Sequence, residues 1–464
     1  MSLIKSISGF RGTVGGVPGD NMTPLDAVKF TAAYVCFLKE SQPDTKKFKV
    51  VVGRDARVSG DMLNRVVCAT LTAMGVDVLD IGLSTTPTVE MEVVFHQAQG
   101  GIILTASHNP FQWNALKLLN QQGEFLNAEE GKRVLEWADA EQFCFAAPEN
   151  IGSYTLCEGA IQRHIDAVLA LELVDADAIR KAGFKVVFDA VNSTGGIALP
   201  MLLKALGVQQ ITGINADPTG RFAHNPEPLP EHLTELCAKV RELHADVGFV
   251  VDPDVDRLAL IQENGEPFVE EYTLVAVADY VLRHQPGNTV SNLSSTQALK
   301  EVTEGYGQQY AASAVGEVNV VAKMKETKAV IGGEGNGGVI YPALHYGRDA
   351  LVGIALFLTH LARSGKSCSA LRKTYPEFVI SKNRMDLAPG TDVDALLLHI
   401  RQKYADLPVI DVDGVRIQFG RQWVHLRKSN TEPIIRIYSE SATEREADAL
   451  ARKIMEDIES YLKH

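Results

Sequence analysis

Gly101-Ile102-Ile103-Leu104-Thr105-Ala106-Ser107-His108-Asn109-Pro110 runs from an unbroken apolar segment into a polar loop that a proline closes. The apolar run reads as a buried strand, which leaves the Ser107 hydroxyl where strand gives way to loop. Elements on its N-terminal side alternate. Thr23-Pro24 opens a helical run through Tyr34 and Leu38, and Phe48 to Gly53 reads as a strand. Ser59 is placed to cap a helix that Gly75 ends, Val76 to Ile81 reads as a strand, and Thr86-Pro87 opens another helix. Such alternation defines an α/β unit.

The pattern restarts at Phe184 to Asp189, a strand followed by the glycine turn Ser193-Thr194-Gly195-Gly196 and a helix through Leu199, Leu203 and Leu206. It restarts again after Asp256: Arg257 to Ile261 reads as a strand, Tyr272 to Leu282 as a helix, with strands near Val290 and Ala329-Val330-Ile331. The last part differs. Phe378 to Leu387, Val409 to Phe419, Trp423 to Leu426 and Ile434 to Tyr438 read as strands, closed by an amphipathic helix from Thr443 to Leu462. The expected architecture is three similar α/β domains with mixed sheets, 1–153, 154–256 and 257–370, and a smaller α+β domain, 371–464.

A serine alone is a weak nucleophile near neutral pH and needs a base, a metal or an attached group. Asp252-Pro253-Asp254-Val255-Asp256-Arg257 offers a metal site, because it follows the strand-like Asp246 to Val251 and releases three carboxylates from its end. At alternate positions they converge on one hard cation, and oxygen-only ligation favours magnesium. A helix-loop-helix calcium loop needs glycine at its sixth position, where Arg257 stands. A solvated acidic turn is the plain alternative.

The 464 residues are 45% hydrophobic and 22% charged, as in ordinary globular enzymes. No apolar run reaches the ~18 to 20 residues that cross a bilayer, and the start carries no signal-peptide pattern, so a cytoplasmic protein without membrane contact is expected. Six scattered cysteines argue against a zinc cluster and a disulfide framework. A net charge of -13 disfavours nucleic acid as a partner.

Anions must then be met locally, and Arg421, Arg427, Lys428 and Arg436 fall within sixteen residues. Arg427-Lys428-Ser429-Asn430-Thr431-Glu432-Pro433 combines guanidinium, hydroxyls, an amide and loop N–H groups, which suits a phosphate or an exposed basic turn. Gly332-Gly333-Glu334-Gly335-Asn336-Gly337-Gly338 admits close ligand approach, with Glu334 and Asn336 suited to sugar hydroxyls; a flexible turn is the alternative. Arg11 and Arg54 each stand beside glycine in turn-like segments, where pairing with a carboxylate is an equal reading. His108 is a base or a loop hydrogen-bonding residue, and Lys117 an acid, a base or a surface lysine.

In this order and spacing the loops resemble those of the α-D-phosphohexomutase family, over essentially the whole chain. Thr105 to Pro110, Asp252 to Arg257, Gly333 to Gly337 and Arg427 to Pro433 are similar to its four signature loops, one per domain around a central cleft. The resemblance implies a phosphoryl group on Ser107, and Mg²⁺ held by that phosphate with Asp252, Asp254 and Asp256. It places Arg257 against the phosphoserine, and Glu334 and Asn336 on sugar hydroxyls. Arg427, Ser429, Asn430, Thr431 and Arg436 fall on the distal phosphate, and Arg11 and Lys117 serve proton and charge transfer.

The implied reaction interconverts a hexose 6-phosphate and 1-phosphate through a 1,6-bisphosphate, which is both intermediate and activator. A closing cleft would keep water from the phosphoserine. Four positions depart from the family's usual loops: Ala115 for glycine in Asn114-Ala115-Leu116-Lys117, Pro253 for glycine, Asn336 for serine and Asn430 for glycine. The last two are shared with an archaeal-type subgroup acting on glucosamine, mannose or glucose phosphates. Within it these loops most resemble phosphoglucosamine mutases, with phosphomannomutase or phosphoglucomutase as the alternative, and a monomer or homodimer is expected. A serine hydrolase would explain Ser107 and His108 but lacks a G-x-S-x-G elbow and gives the aspartates no role. A sugar-phosphate-binding protein without turnover would be indifferent to loss of Ser107.

Overall fold

The computed structural model describes residues 2–6, 9–388, 390–429 and 434–463. It forms two compact units, Met1–Thr273 with Gly337–Leu371, and Leu274–Asn336 with Arg372–His464.

The first unit contains two mixed sheets. Seven strands lie in the order Ile4–Ser6, Gly9–Thr13, Trp113–Leu119, Gly100–Leu104, Phe48–Arg54, Val76–Leu83, Tyr154–Leu156. The apolar runs that mark its central strands are explained by helices on both faces. Val50, Val52, Ile102 and Leu104 join a core with helices Pro24–Ser41 and Gly60–Ala73, while Val51 and Ile103 point into a second core with Thr86–Phe95. Pro24–Ser41 starts where expected, with Thr23 and Asp26 forming a capping box. Ser59 stands at the N-cap of Gly60–Ala73 but makes no capping hydrogen bond, since its hydroxyl accepts from Asn114 Nδ2 at 2.9 Å.

The second sheet has the order Leu258–Gln262, Val247–Val251, Lys185–Asp189, Gln210–Ile214. Leu258–Gln262 pairs antiparallel with Val247–Val251, so this sheet runs past Asp256. Gly195 and Gly196, read as a turn, begin the helix Gly195–Ala205. Helix Ala350–Ser364 also packs into this unit, with Phe357 edge-on to Phe249 and Phe268. Its residues 350–361 are all buried, and a helix apolar all round has no periodicity for a sequence reading to find.

In the second unit Tyr310–Ser313, Thr289–Asn292 and Ile331–Glu334 are parallel neighbours. A five-stranded antiparallel sheet follows, Val379–Asp386, Ile434–Ser441, Gln422–Lys428, Val415–Phe419, Val409–Ile410. Helices Val393–Lys403 and Glu444–Leu462 cover one face through Leu396, Ile400, Ile454 and Ile458. The single strand expected over Val409 to Phe419 is two strands folded back on each other. Gly414 makes the turn at φ +70°, where a Cβ would collide with the carbonyl of Leu426.

Candidate active site

Strand Gly100–Leu104 delivers Ser107 in a left-handed conformation at φ +47°. Thr105 Oγ1 accepts from the Ser107 N–H at 2.9 Å and donates to Asp55 Oδ2 at 2.7 Å. Asp55 in turn pairs with Arg57 at 3.0 Å, both side chains fully buried. The Arg57 guanidinium donates to four backbone carbonyls, of Ser107 at 2.5 Å, Asn109 at 2.6 Å, Pro110 at 2.7 Å and Trp113 at 2.9 Å. The loop's shape is thus fixed through its backbone, by an arginine that sequence reading passed over. Arg54 faces Asp61 at 3.8 Å instead.

Strand Val247–Val251 delivers the three aspartates, all fully buried. Val255 between them is held at φ +61°, an unusual conformation for a β-branched residue and a sign of stored strain. Ser193 and Thr194 hydroxyls hold the Pro253 carbonyl at 2.6 and 2.8 Å. Asp252 Oδ1 accepts from the N–H groups of Asp256 and Arg257, each at 3.1 Å, and its Oδ2 accepts from Ser107 Oγ at 2.7 Å. Asp254 Oδ2 accepts from Thr86 Oγ1 at 2.6 Å and Lys117 Nζ at 2.8 Å. Asp256 Oδ2 accepts from Arg348 Nη2 at 2.7 Å.

One oxygen from each aspartate falls within a 4.8 Å set, and Asp254 Oδ1 and Asp256 Oδ1 are buried without a hydrogen-bond partner. Orphaned anionic oxygens are costly unless a cation meets them, so this donor set fits a hard divalent ion. Burial, then Asp256 and Asp254, push the Asp252 carboxyl well above its usual range. Burial would raise Asp254 too, but Lys117 outweighs it and holds that carboxyl well below.

Lys117 and Arg11 lie on neighbouring antiparallel strands, with Gly9 opposite Lys117 and Arg11 opposite Ala115, and so share a face. Arg11 is therefore on a strand, not the expected turn. Burial opposes the charge on Lys117, yet Asp254 and Asp256 raise it above the ordinary lysine value, so it is a fixed cation. His108 Nδ1 lies 3.4 Å from Ser107 Oγ. Burial, followed by the charges of Arg257 and Arg348, holds this imidazole well below its usual value. Among the described residues no carboxylate hydrogen-bonds to His108, which leaves a hydrolase triad without its third member. Arg257 faces Glu227 at 3.5 Å, and its buried Nε makes no hydrogen bond.

In the second unit Glu334 ends strand Ile331–Glu334 and is buried. Its Oε1 accepts from Asn292 Nδ2 at 2.7 Å and the Gly316 N–H at 3.0 Å. Asn336 Nδ2 is 3.5 Å from Glu334 Oε2. The next amide back, Val315, donates to Asp413 Oδ2 at 2.9 Å, and the same oxygen faces Arg427 Nε at 2.8 Å. Glu334 and Arg427 are thereby tied to consecutive amides. Ser429 donates its N–H to the Ile434 carbonyl at 3.1 Å, while Asn430 and Thr431 lie outside the described residues. Arg436 stands directly opposite both Arg427 and Arg384, three arginines abreast on adjacent strands. Like charges so placed repel, a repulsion that a bound anion relieves. Arg384 was missed because only strand register brings it there.

Four family models match in order, the phosphoglucomutase/phosphomannomutase alpha/beta/alpha domains I, II and III over residues 4–144, 162–265 and 270–378, and the C-terminal domain over 391–457. The chain belongs to the phosphoglucomutase/phosphomannomutase family. It is thus a phosphohexomutase, an isomerase of four-domain architecture. A phosphoglucomutase/phosphomannomutase of Thermococcus kodakarensis is 35% identical over 97% of this chain and 99% of its own length. A phosphoglucosamine/phosphogalactosamine mutase of Sulfurisphaera tokodaii is 31% identical over 96% and 98%. A solved phosphoglucomutase/phosphomannomutase family structure from Burkholderia thailandensis is similar at a TM-score of 0.83 and 26% identity, covering 98% of this chain and 97% of that one. Like these relatives' names, the phosphohexomutase family spans several sugars. No helix among the described residues is long and apolar enough to cross a membrane.

Proposed function

We propose that this phosphohexomutase interconverts glucosamine 6-phosphate and glucosamine 1-phosphate by two phosphoryl transfers through Ser107, with Mg²⁺ held by Asp252, Asp254 and Asp256. The observation that carries the reading is the Ser107 hydroxyl 2.7 Å from Asp252, beside two orphaned carboxylate oxygens. When bound, the cation supplies charge neutralisation at the phosphoryl oxygens. In the first transfer the phosphorus–Oγ bond of phospho-Ser107 breaks as a bond forms to the free sugar hydroxyl, which gives up its proton. In the second, the other ester bond of the bisphosphate breaks, the phosphoryl group returns to Oγ and the freed sugar oxygen regains a proton.

Arg57 holds the serine loop still during both transfers, and in-line geometry depends on that. Lys117 acts as fixed charge, and His108, uncharged beside Oγ, is the proton carrier within reach. Arg257 meets the phosphoserine, Glu334 and Asn336 take sugar hydroxyls, and Arg427, Ser429, Asn430, Thr431 and Arg436 take the distal phosphate, with Arg384 beside them. Arg11 contributes charge from its strand. On this reading the enzyme works in the cytoplasm, as a monomer or homodimer, and hexose 1,6-bisphosphate activates it.

The Gly-Glu-Gly-Asn-Gly-Gly and Ser-Asn-Thr-Glu-Pro loops, with the Sulfurisphaera tokodaii relative, support glucosamine. The Thermococcus kodakarensis relative supports mannose or glucose as the second reading. Initial rates with Mg²⁺ and trace bisphosphate on the 1-phosphates of glucosamine, mannose and glucose decide between them. A kcat/KM highest for glucosamine 1-phosphate is expected; preference for another sugar selects the alternative, and no turnover of any refutes the mutase reading. Ser107→Ala is expected to abolish turnover while binding stays within about tenfold, roughly 1.4 kcal/mol.

A further inference from the structure

Two arms reach the metal loop from outside it. Helix Thr86–Phe95 begins with Thr86, whose hydroxyl and N–H both donate to Asp254, at 2.6 Å to Oδ2 and 2.8 Å to the carbonyl. The segment before helix Ala350–Ser364 carries Arg348 to Asp256 Oδ2 at 2.7 Å, and Ala350 donates its N–H to the Val255 carbonyl at 3.2 Å. One helical turn beyond Thr86, on the same side of that helix, stands Glu90. Next to Arg348 stands Asp349, whose Oδ1 caps the buried helix at Leu351 and Val352, 2.7 and 3.3 Å.

His345 joins the arms. Its Nδ1 lies 3.1 Å from Glu90 Oε2 and its Nε2 3.4 Å from Asp349 Oδ2. Asp349 Oδ2 also meets His164 Nε2 at 2.9 Å, and His164 Nδ1 meets Thr88 Oγ1 at 2.9 Å. The result is a closed ring through Asp254, Thr86, Glu90, His345, Asp349, Arg348 and Asp256. His164, His345 and Asp349 also have the chemistry of a metal set. Each of their four ring nitrogens, however, already faces a protein oxygen, three through hydrogen bonds and His345 Nδ1 through its ion pair with Glu90, so the cluster reads as an ionic network.

We infer that His345 is a positioning residue for the metal loop, a clasp that sets the spacing of Asp254 and Asp256 by joining the two arms that hold them. The inference rests on the metal reading given above. Burial disfavours the charge on His345, but Asp349 and Glu90 outweigh it and raise the imidazole to about 10. Without the clasp, the Glu90 carboxylate would lose its imidazole partner and Asp349 would be left with His164. Gly347 fits the same design: a Cβ there would collide with the Glu90 carboxylate.

The test is calorimetric titration of the full chain with MgCl2 and MnCl2, alongside the Mg²⁺ dependence of hexose-phosphate turnover. His345→Gln is expected to weaken cation binding about tenfold, the low end for groups outside the ligand set, with kcat at saturating Mg²⁺ within about threefold of wild type. Gly347→Ala removes no charged group yet displaces Glu90, and it should weaken binding in the same direction; it also serves if His345→Gln does not fold. Leu356→Ala, in the same buried helix but outside the ring, controls for lost stability. A cation affinity unchanged within twofold in His345→Gln or in its stand-in, or one that falls equally in Leu356→Ala at matched Tm, overturns the clasp alone. A wild-type chain that binds neither cation overturns the metal reading and the clasp with it.

Discussion

The Asp252–Asp254–Asp256 loop and the His164–His345–Asp349 cluster each gather three donors of metal-binding type within the same 4.8 Å limit. In the loop, three carboxylates are set against one another, two oxygens find no donor, and a valine is held in a strained conformation between them. In the cluster, imidazoles alternate with carboxylates and every ring nitrogen lies within 3.4 Å of a protein oxygen, although His345 Nδ1 meets Glu90 as an ion pair without a hydrogen bond. Convergence of ligand-type residues therefore does not distinguish a metal site from an ionic network. What the carboxylates face does: one another in the loop, imidazoles in the cluster.

The strongest test of that contrast is Asp254→Asn, which is expected to weaken Mg²⁺ binding by at least about a hundredfold and to remove turnover, as measured by calorimetry and initial rates. Asp252→Asn should lose turnover as well, but without metal it should melt above wild type by several degrees, since it relieves a repulsion among buried carboxylates. Adding Mg²⁺ should reverse that order, because a ligand stabilises only the form that binds it. Equal melting of the two proteins in chelator would break the account of the loop.

A cobalt titration asks whether the cluster binds metal after all. One equivalent with the weak absorption of an oxygen-rich octahedral site is expected, and intense tetrahedral bands from histidine ligation would contradict the comparison. A smaller effect is expected with pH. Because His345 is raised in the folded state from 6.5 to about 10, its stabilisation is complete below 6.5 and is lost as pH rises through about 10. Denaturation midpoints should fall from pH 7 to 10.5 in wild type and stay flatter in His345→Gln. Smallest of all, Thr86→Val removes one hydrogen bond to Asp254 and should weaken Mg²⁺ binding about fivefold, ~1 kcal/mol.

The loops were legible in the sequence because their chemistry is local: Ser107, the three aspartates and Arg427 to Ser429 each sit in one short segment at the end of a readable strand. Runs such as Val50-Val51-Val52 revealed a sheet covered on both faces. What escaped reading depends on tertiary placement. Arg57 reaches carbonyls fifty residues away, Arg348 and His345 act across the fold, and Arg384 joins its row only through strand register. Helix Ala350–Ser364 hid in uniform apolarity, and the Asp413-Gly414 turn divided what hydropathy alone read as one strand.

That helix has a consequence for how the chain is made. The first unit draws Gly337–Leu371 from beyond the stretch Leu274–Asn336 that belongs to the other unit. A ribosome that has released Thr273 has delivered both sheets of the first unit but not the helix that fills one side of the second. Roughly a hundred more residues must emerge before that core can close, on the order of 5 to 20 seconds at ordinary elongation rates. Until then Phe249 and Phe268 lack Phe357, the ring that packs edge-on to both, and the nascent protein is most open to chaperones and to aggregation in that interval.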